Sequence, residues 1–220
     1  MTLQEAMCVR HKVSKYKDKP LSADIVRQLD DRIKVQNQKY GLKMQLFTEC
    51  KDAMPGIIAA LMSKGVKNYI ILAGSNAPGI DEKLGYSSAD LMLYAQTLGL
   101  NTWWIGGMYS RKNAKKNINA GEDTKIIGIV VVGYGENQGV PHKSKAASEI
   151  ASYEGTAPEW FKAGVSATLL APTAMNKQAF TIKGKDNKVR MTCDNGSYSR
   201  ANLGIGKYHF ELGAGKDNFK

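Results

Sequence analysis

The stretch that decides the fold is "AQTLGLNTWWIGGM", residues 95–108. Its first part is apolar and reaches Gly99, and glycine is common just after the last turn of a helix. The following "NTWWI" is strand-like and ends at the pair Gly106 and Gly107. Glycines at the exit of a strand let a flat ligand approach the backbone, although an ordinary tight turn would use the same residues. The stretch therefore predicts a helix, a strand and a turn in succession.

The rest of the chain alternates between the same two kinds of segment. Hydrophobic periodicity predicts helices over residues 2–8, 22–36, 55–65, 87–100, 157–170 and 199–213. Apolar or alternating runs predict strands over 43–49, 67–75, 101–108 and 124–135, and two short strands in "QAFTIK" and "KVRMTC". Helices that alternate with apolar strands are typical of an α/β or α+β domain.

The composition is that of an ordinary globular protein. Hydrophobic residues make up 43% of the 220 residues and charged residues 23%. No apolar stretch approaches the roughly 20 residues that cross a membrane, and "MTLQEAMCVRHK" lacks the apolar core of a signal peptide. The three cysteines form no Cys-x-x-Cys pair, which favours reduced thiols. These features predict a cytoplasmic location and no membrane partner.

The net charge of +11 suits an anionic partner, such as a nucleic acid or a phosphorylated small molecule. The densest basic group, "SRKNAKKN" at 110–117, is short and typical of a solvated helix face. Basic residues are not interleaved with aromatic residues, and the sequence contains no known nucleic-acid-binding motif. We therefore expect no nucleic-acid partner.

Several common kinds of catalytic or cofactor site are missing from the sequence. The histidines, His11, His142 and His209, lie far apart and have no partner at metal-ligand spacing, so we expect no metal. There is no P-loop, no Gly-x-Gly-x-x-Gly between a strand and a helix, and no Gly-x-Ser-x-Gly turn. "LGIGK" at 203–207 lies in a helical segment, where helix packing explains its glycines better.

Two basic segments, residues 9–21 and 140–145, are candidate phosphate sites. Their main cations and the neighbouring histidine are Arg10, His11, Lys12, Lys143 and Lys145. The two lysines of the second segment are two residues apart, so in an extended loop both would point to one side. Either segment alone would be typical of a solvated turn, but beside the glycine turn they favour binding of a flat, phosphorylated ligand.

Four motifs taken together resemble the FMN-dependent nitroreductase family. They are "RHKVSKYKDKP", "AQTLGLNTWWIGGM", "IIGIVVVGYGENQGVPHKSK" and "LLAPTAMNKQAF". The late position of the last motif, at 169–180, resembles a subset of the family whose chain holds two degenerate halves. The resemblance implies an α+β fold with a central, mostly antiparallel sheet flanked by helices. It also implies two pseudo-symmetric halves, at 1–145 and 146–220.

The resemblance further implies a site for FMN to which both halves contribute. The first half would bind the flavin phosphate and approach the ring, and the second half would take the place of a partner subunit. The implied residues are Arg10, His11, Lys12, Gly106, Gly107, Lys143, Lys145, Pro172, Thr173 and Asn176. Two of several departures from the family pattern stand out: His11 replaces a second arginine, and Ala179 replaces a proline.

The activity implied by the resemblance is that of an NAD(P)H oxidoreductase. NAD(P)H would deliver a hydride to the flavin, and a nitroaromatic or quinone-like small molecule would then accept it, in ping-pong turnover. This chemistry needs no side-chain acid or base, so no catalytic residue is assigned. The chain would be a monomer with pseudo-dimeric halves or a weak homodimer. The departures from the family pattern leave non-catalytic alternatives open: a flavin-binding protein for storage or sensing, or a scaffold that has lost the flavin.

Overall fold

A computed structural model describes residues 1–56 and 61–219 of the chain. Its helices are α1 (Leu3–Val9), α2 (Ala23–Tyr40), α3 (Ile80–Thr97), α4 (Arg111–Asn117), α5 (Ala147–Ile150), α6 (Glu159–Thr168) and α7 (Ser199–Ala214). Its strands are β1 (Gln45–Phe47), β2 (Tyr69–Ser75), β3 (Asn101–Ile105), β4 (Thr124–Gly133), β5 (Ala151–Glu154), β6 (Phe180–Lys185) and β7 (Lys188–Cys193). The helix predicted over 55–65 includes residues 57–60, which lie outside the described residues.

The chain divides into two compact units, neither of which is one continuous piece of sequence. Unit one contains Met1–Val9, Asp81–Asp90 and Pro141–Lys220, and unit two contains Arg10–Ile80 and Leu91–Val140. Helix α3 therefore gives its first part to unit one and its last part to unit two. The predicted halves, 1–145 and 146–220, stay a prediction, because compactness does not test whether one half is a degenerate copy of the other.

Unit two is built on a four-stranded sheet in the order β1-β2-β4-β3, with every neighbouring pair antiparallel. The ten-residue β4 lies between β2 and β3, and Val131 is the register partner of both Tyr69 and Trp103. A strand covered on both faces is apolar along most of its length rather than alternating, as "IIGIVVVG" is. This explains why β4 is the clearest strand in the sequence.

The two faces of this sheet bury separate apolar clusters. Ile129 and Val131 of β4 point into a cluster with Trp103 and with Tyr16 of the basic segment. Val132, next along the strand, points to the opposite face and packs with Leu29 of α2. Alternate residues of a strand point to opposite faces, so β4 joins both cores.

Helix α2 has clear signals at both ends. Ser22 is its N-cap, and the Ser22 hydroxyl accepts a hydrogen bond from the Ile25 amide at 3.3 Å. Gly41 ends the helix in the left-handed conformation, with φ of 67°. Between these ends, Leu29 and Ile33 are buried and carry the apolar stripe that the sequence pattern predicts.

Unit one contains a three-stranded sheet in the order β5-β6-β7, with β5 parallel to β6 and β6 antiparallel to β7. Phe180 and Ile182 of β6 point inward, and the burial along this strand alternates strictly. Helices α6 and α7 meet through aromatic rings, with Phe161 and Phe210 at a centroid distance of 6.0 Å. Strand β5 and helix α5 are four residues each, too short to give a periodic signal in the sequence.

Two sequence expectations have a structural outcome in unit one. Helix α3 begins at Ile80, not at residue 87 as predicted, and its first two turns include Gly85. A Cβ on Gly85 would lie 2.1 Å from the Ala201 carbonyl oxygen, so this glycine permits close packing of α3 and α7. A Cβ on Gly204 would lie 2.0 Å from the Glu82 carbonyl oxygen, which confirms helix packing as the role of "LGIGK".

Among the described residues, no helix combines the length and the apolar character needed to span a membrane.

Candidate functional site

The N-terminal basic segment lies along the first residues of β3. Lys12 pairs with Thr102 in a parallel bridge, and the Val13 amide donates to the Thr102 carbonyl oxygen at 3.2 Å. Tyr16 is buried and anchors the segment, because its hydroxyl donates to the Val13 carbonyl oxygen at 2.6 Å. Unit two thus holds Arg10, His11 and Lys12 beside one end of β3.

Arg10 is a buried cation with no acidic partner among the described residues. Its side chain is only 6% exposed, and its Nε makes no hydrogen bond to any described residue. No carboxylate among the described residues forms an ion pair with it, and burial lowers the pKa of Arg10 from its ordinary value to about 10. The guanidinium is therefore still charged at neutral pH. Buried cations are normally paired, so this arrangement is typical of a site that receives an anion.

Lys12 and His11 continue this basic segment towards solvent. Lys12 is exposed, and its Nζ lies 4.8 Å from the centroid of the Trp103 ring. Trp103 is 5% exposed and belongs to the core of unit two, so its ring gives the lysine a fixed surface. His11 is half-buried. Thr102 adds a buried hydroxyl that has no hydrogen-bond partner among the described residues.

The loop after β4 closes over the same segment and depends on one glycine. Gly139 has φ of +74°, and a Cβ there would lie 2.6 Å from the Lys12 carbonyl oxygen and 2.8 Å from the His11 Cβ. Asn101 holds this loop from β3, since its side chain accepts from the Gly135 amide at 3.0 Å and donates to Gln138 at 3.0 Å. The backbone of the basic segment is therefore positioned from two sides.

Gly106 and Gly107 directly follow β3, at the end away from Thr102. Three strand residues lie between Thr102 and Gly106, so the two positions are roughly 13 Å apart along the strand. Gly106 is half-buried and Gly107 is exposed. Unit two therefore presents a basic group at one end of a strand and a glycine turn at the other, which suits an elongated ligand with a phosphate at one end.

The other predicted site residues, Lys143, Lys145, Pro172, Thr173 and Asn176, all belong to unit one. Sequence reasoning assigned the two lysines to the same half as Arg10, but in the structure they lie with the residues of "LLAPTAMNKQAF". The Asn176 side chain donates to the Lys143 carbonyl oxygen at 2.8 Å, and the Lys145 Nζ donates to the Gln178 carbonyl oxygen at 3.2 Å. The loops 141–145 and 172–178 thus form one structure.

Gln178 joins these two loops, and sequence reasoning missed it. Its side chain is fully buried and accepts from the Lys145 amide at 2.9 Å while donating to the Asn176 side chain at 3.1 Å. The Gln178 amide donates to the Thr173 hydroxyl at 3.0 Å. No sequence signal predicted this burial, because glutamine is usually exposed and Gln178 begins a short alternating segment.

The backbone of the second loop is unusual. Met175, Asn176 and Gln178 all have φ between 45° and 54°, in the left-handed region that non-glycine residues rarely adopt. The Asn202 side chain accepts from the Ala174 amide at 3.1 Å and supports this conformation. Met175 is left 82% exposed at the tip. Strained backbone that is held by side-chain hydrogen bonds is common at functional sites.

The family described as "Putative TM nitroreductase" matches residues 2–214. The chain belongs to this family. The match covers nearly the whole sequence, and nitroreductases are oxidoreductases, so membership indicates that class of enzyme. No curated protein sequence matches the chain.

Solved structures agree on the nitroreductase-like fold. The putative nitroreductase of Thermotoga maritima is similar over 96% of this chain and 83% of its own, with a TM-score of 0.64 and 17% identity. A nitroreductase-like protein of Streptococcus mutans is similar over 68% of this chain and 96% of its own, with a TM-score of 0.57 and 13% identity. A nitroreductase family protein of Streptococcus pneumoniae is similar over 68% of this chain and 98% of its own, with a TM-score of 0.56 and 12% identity. These likenesses confirm the predicted α+β fold.

Proposed function

We propose that this nitroreductase-family protein is an FMN-dependent NAD(P)H oxidoreductase that reduces nitroaromatic or quinone-like acceptors in ping-pong turnover. The observation that carries the proposal is Arg10, a buried guanidinium with no acidic partner among the described residues. A phosphate would supply the missing counter-charge. It would also accept a hydrogen bond from the Arg10 Nε.

The residues of unit two fit the two ends of such a cofactor. Arg10 and Lys12 are the candidates for the phosphate, one as a bidentate donor and the other as a point charge. The backbone at Gly106 and Gly107 is the candidate for the ring end, where amide donors could stabilise developing negative charge. When bound, the flavin supplies the hydride chemistry, and the chain supplies binding, orientation and electrostatics.

The predicted contribution of unit one stays a prediction. Lys143, Lys145, Pro172, Thr173 and Asn176 were assigned to the flavin site through the family resemblance. Their loops are well braced by Gln178, which suits a rigid binding surface. One FMN for each chain, the monomeric or weakly dimeric state and the cytoplasmic location stay predictions in the same way.

The decisive experiment is reconstitution of the purified chain with FMN, followed by its absorption spectrum under anaerobic conditions. We expect bound flavin that is bleached by NADH or NADPH and reoxidised by a nitroaromatic compound or a quinone. Bound flavin that neither nucleotide bleaches would favour the storage or sensing alternative. Failure to retain flavin at all would overturn both.

A matched pair of ligands tests the phosphate assignment directly. Riboflavin lacks the phosphate group and should bind much more weakly than FMN to the unaltered protein. In the Arg10→Gln variant the two affinities should approach each other, because the group that distinguishes the ligands would have lost its partner. An unchanged preference for FMN in this variant would place the phosphate elsewhere.

A further inference from the structure

The outer face of the β5–β6–β7 sheet carries an unusual arrangement of like charges. Lys183 of β6 is the register partner of Arg190 of β7, and Lys185 is the register partner of Lys188. All four side chains are exposed. Like charges directly opposite each other on neighbouring strands are destabilising, since their Cβ atoms are only about 5 Å apart.

These four cations line a shallow groove of about 410 Å³, together with Ser152 and Glu154 of β5. Glu154 is the acidic residue of the groove, and its Oε1 lies 2.5 Å from the Lys185 Nζ. Both members of this pair are more than half exposed, so the pair offsets little of the positive charge. The groove therefore keeps an excess of positive charge.

Protection of a sheet edge explains only part of this arrangement. Lysines on an edge strand discourage pairing with other chains, and β7 is an edge strand that carries Lys188 and Arg190. Strand β6 is the central strand of the sheet and needs no such protection. Its two lysines, Lys183 and Lys185, are opposite the cations of β7, and this position requires another explanation.

We propose that this face binds a soluble anion with at least two linked phosphate groups, of the triphosphate type. The two cross-strand pairs of cations, Lys183–Arg190 and Lys185–Lys188, are two residues apart along the strands, or roughly 7 Å. One chain of linked phosphates can therefore contact both pairs. Arg190 offers a bidentate fork, and Ser152 offers a hydroxyl, both of which are common phosphate donors. The bound anion would reduce the repulsion between the two cations of each cross-strand pair.

The lining of the groove argues against two larger partners. Its exposed side chains include no aromatic ring on which a base could stack. Its apolar side chain, Val189, is half-buried, so the face lacks the apolar area that membrane binding uses. A small polyphosphate is the ligand class that matches the charge and the size of the groove.

The test is calorimetric titration of the protein, saturated with FMN, with inorganic tripolyphosphate at low ionic strength. We expect binding that weakens as salt is added, and about fivefold weaker binding in each of Lys183→Gln and Arg190→Gln. Glu154→Gln should bind more tightly, because the carboxylate repels the ligand and occupies Lys185. Orthophosphate should bind more weakly than tripolyphosphate.

Two control variants test whether binding depends on this face rather than on the net charge of the protein or on the proposed site for the FMN phosphate. Lys34→Gln removes an exposed lysine from α2, and Lys12→Gln alters the basic segment of unit two. Neither should change tripolyphosphate binding by more than about twofold. The proposal is overturned if either control weakens binding as much as Lys183→Gln, if tripolyphosphate does not bind, or if duplex DNA or anionic vesicles bind this face more tightly.

Discussion

The loops around Arg10 and those around Gln178 are both candidate site regions, but they treat their buried polar groups in opposite ways. Around Arg10, the guanidinium Nε and the Thr102 hydroxyl are buried without hydrogen-bond partners among the described residues. Around Gln178, the buried amide is bonded on both of its polar atoms. Unsatisfied buried polar groups cost free energy, whereas satisfied networks fix a single conformation.

This difference indicates which region requires a ligand to satisfy its buried polar groups and which region satisfies them with its own residues. In the ligand-free protein the Arg10 charge is buried with no acidic partner among the described residues, which costs free energy, and a bound anion would remove that cost. The Gln178 region is satisfied from within, so it should be as ordered without a ligand as with one. Replacing the buried polar side chain should therefore lower the free energy of unfolding at Gln178 but not at Arg10.

The largest effect should come from Gln178→Ala. The change leaves the Lys145 amide and the Asn176 side chain without their partners and opens a small cavity, so the free energy of unfolding should fall by about 2–4 kcal/mol. Urea denaturation of the FMN-free protein measures it. Gln45→Ala, at an exposed glutamine of β1, is the control and should change this quantity by less than about 0.5 kcal/mol. Equal effects would remove Gln178 from its role as a structural link.

Arg10→Met should have the next largest effect, and its sign is the sharpest test of the comparison. Without FMN the free energy of unfolding should stay the same or rise by about 1 kcal/mol, because an apolar side chain replaces a buried charge that has no acidic partner in the described part of the chain. The affinity for FMN should fall by about 10- to 100-fold. Denaturation and flavin titration measure the two quantities. A large loss of stability in the FMN-free protein would show that Arg10 already has a partner.

Arg10 also predicts a pH dependence of stability in the ligand-free protein. Because burial lowers the pKa of Arg10 to about 10, the unfolded chain binds more protons than the folded one in the pH window that begins at about 10. The contribution of this group to stability should therefore rise with pH across that window and stay constant below it. The difference between the unaltered protein and Arg10→Met, followed by denaturation at each pH, isolates this contribution.

Gly139→Ala tests whether the loop after β4 positions the basic segment. Gly99→Ala is a matched control, since Gly99 has a similar φ of +77° but open space around a new Cβ. Both variants should lose about 1 kcal/mol from backbone strain. Gly139→Ala should lose about 1 kcal/mol more, because its Cβ would meet the Lys12 carbonyl oxygen. Identical losses would mean that the loop yields easily.

Lys12→Gln should have the smallest effect of this series. The side chain is exposed, so its removal should weaken FMN binding by about fivefold and leave stability nearly unchanged. Riboflavin, which lacks the phosphate, should bind the variant and the unaltered protein equally well. A loss of riboflavin affinity as large as the loss of FMN affinity would argue that Lys12 contacts the ring.

Much of the fold could be predicted from the sequence because its main elements have strong local signals. Strand β4 is continuously apolar, and α2 has an N-cap serine, a buried stripe and a terminal glycine. Prediction was poorer where tertiary packing determines the bounds or the existence of an element. The start of α3 was missed because Gly85 serves contact with another helix, and β5 was missed because it is defined by its pairing with β6.

The site was predicted in its parts but not in its grouping. Arg10 and Lys12 could be named from a local basic cluster, yet the burial of Arg10 has no local signal in the sequence. Lys143 and Lys145 were grouped with Arg10 from the sequence, and their hydrogen bonds to the 172–178 loop could not be foreseen because they join residues about 33 positions apart. Gln178 could not be identified, since burial of an amide leaves no local trace in the sequence.

The division of helix α3 between the two units has a consequence for the order in which the chain can fold during synthesis. Unit one needs Met1–Val9, Asp81–Asp90 and Pro141–Lys220, so it cannot be complete until the last residues leave the ribosome. Unit two needs nothing beyond Val140 and can form its sheet first, although its strands pair across as many as about 60 residues. During synthesis α1 therefore cannot pack into unit one until α7 has been made.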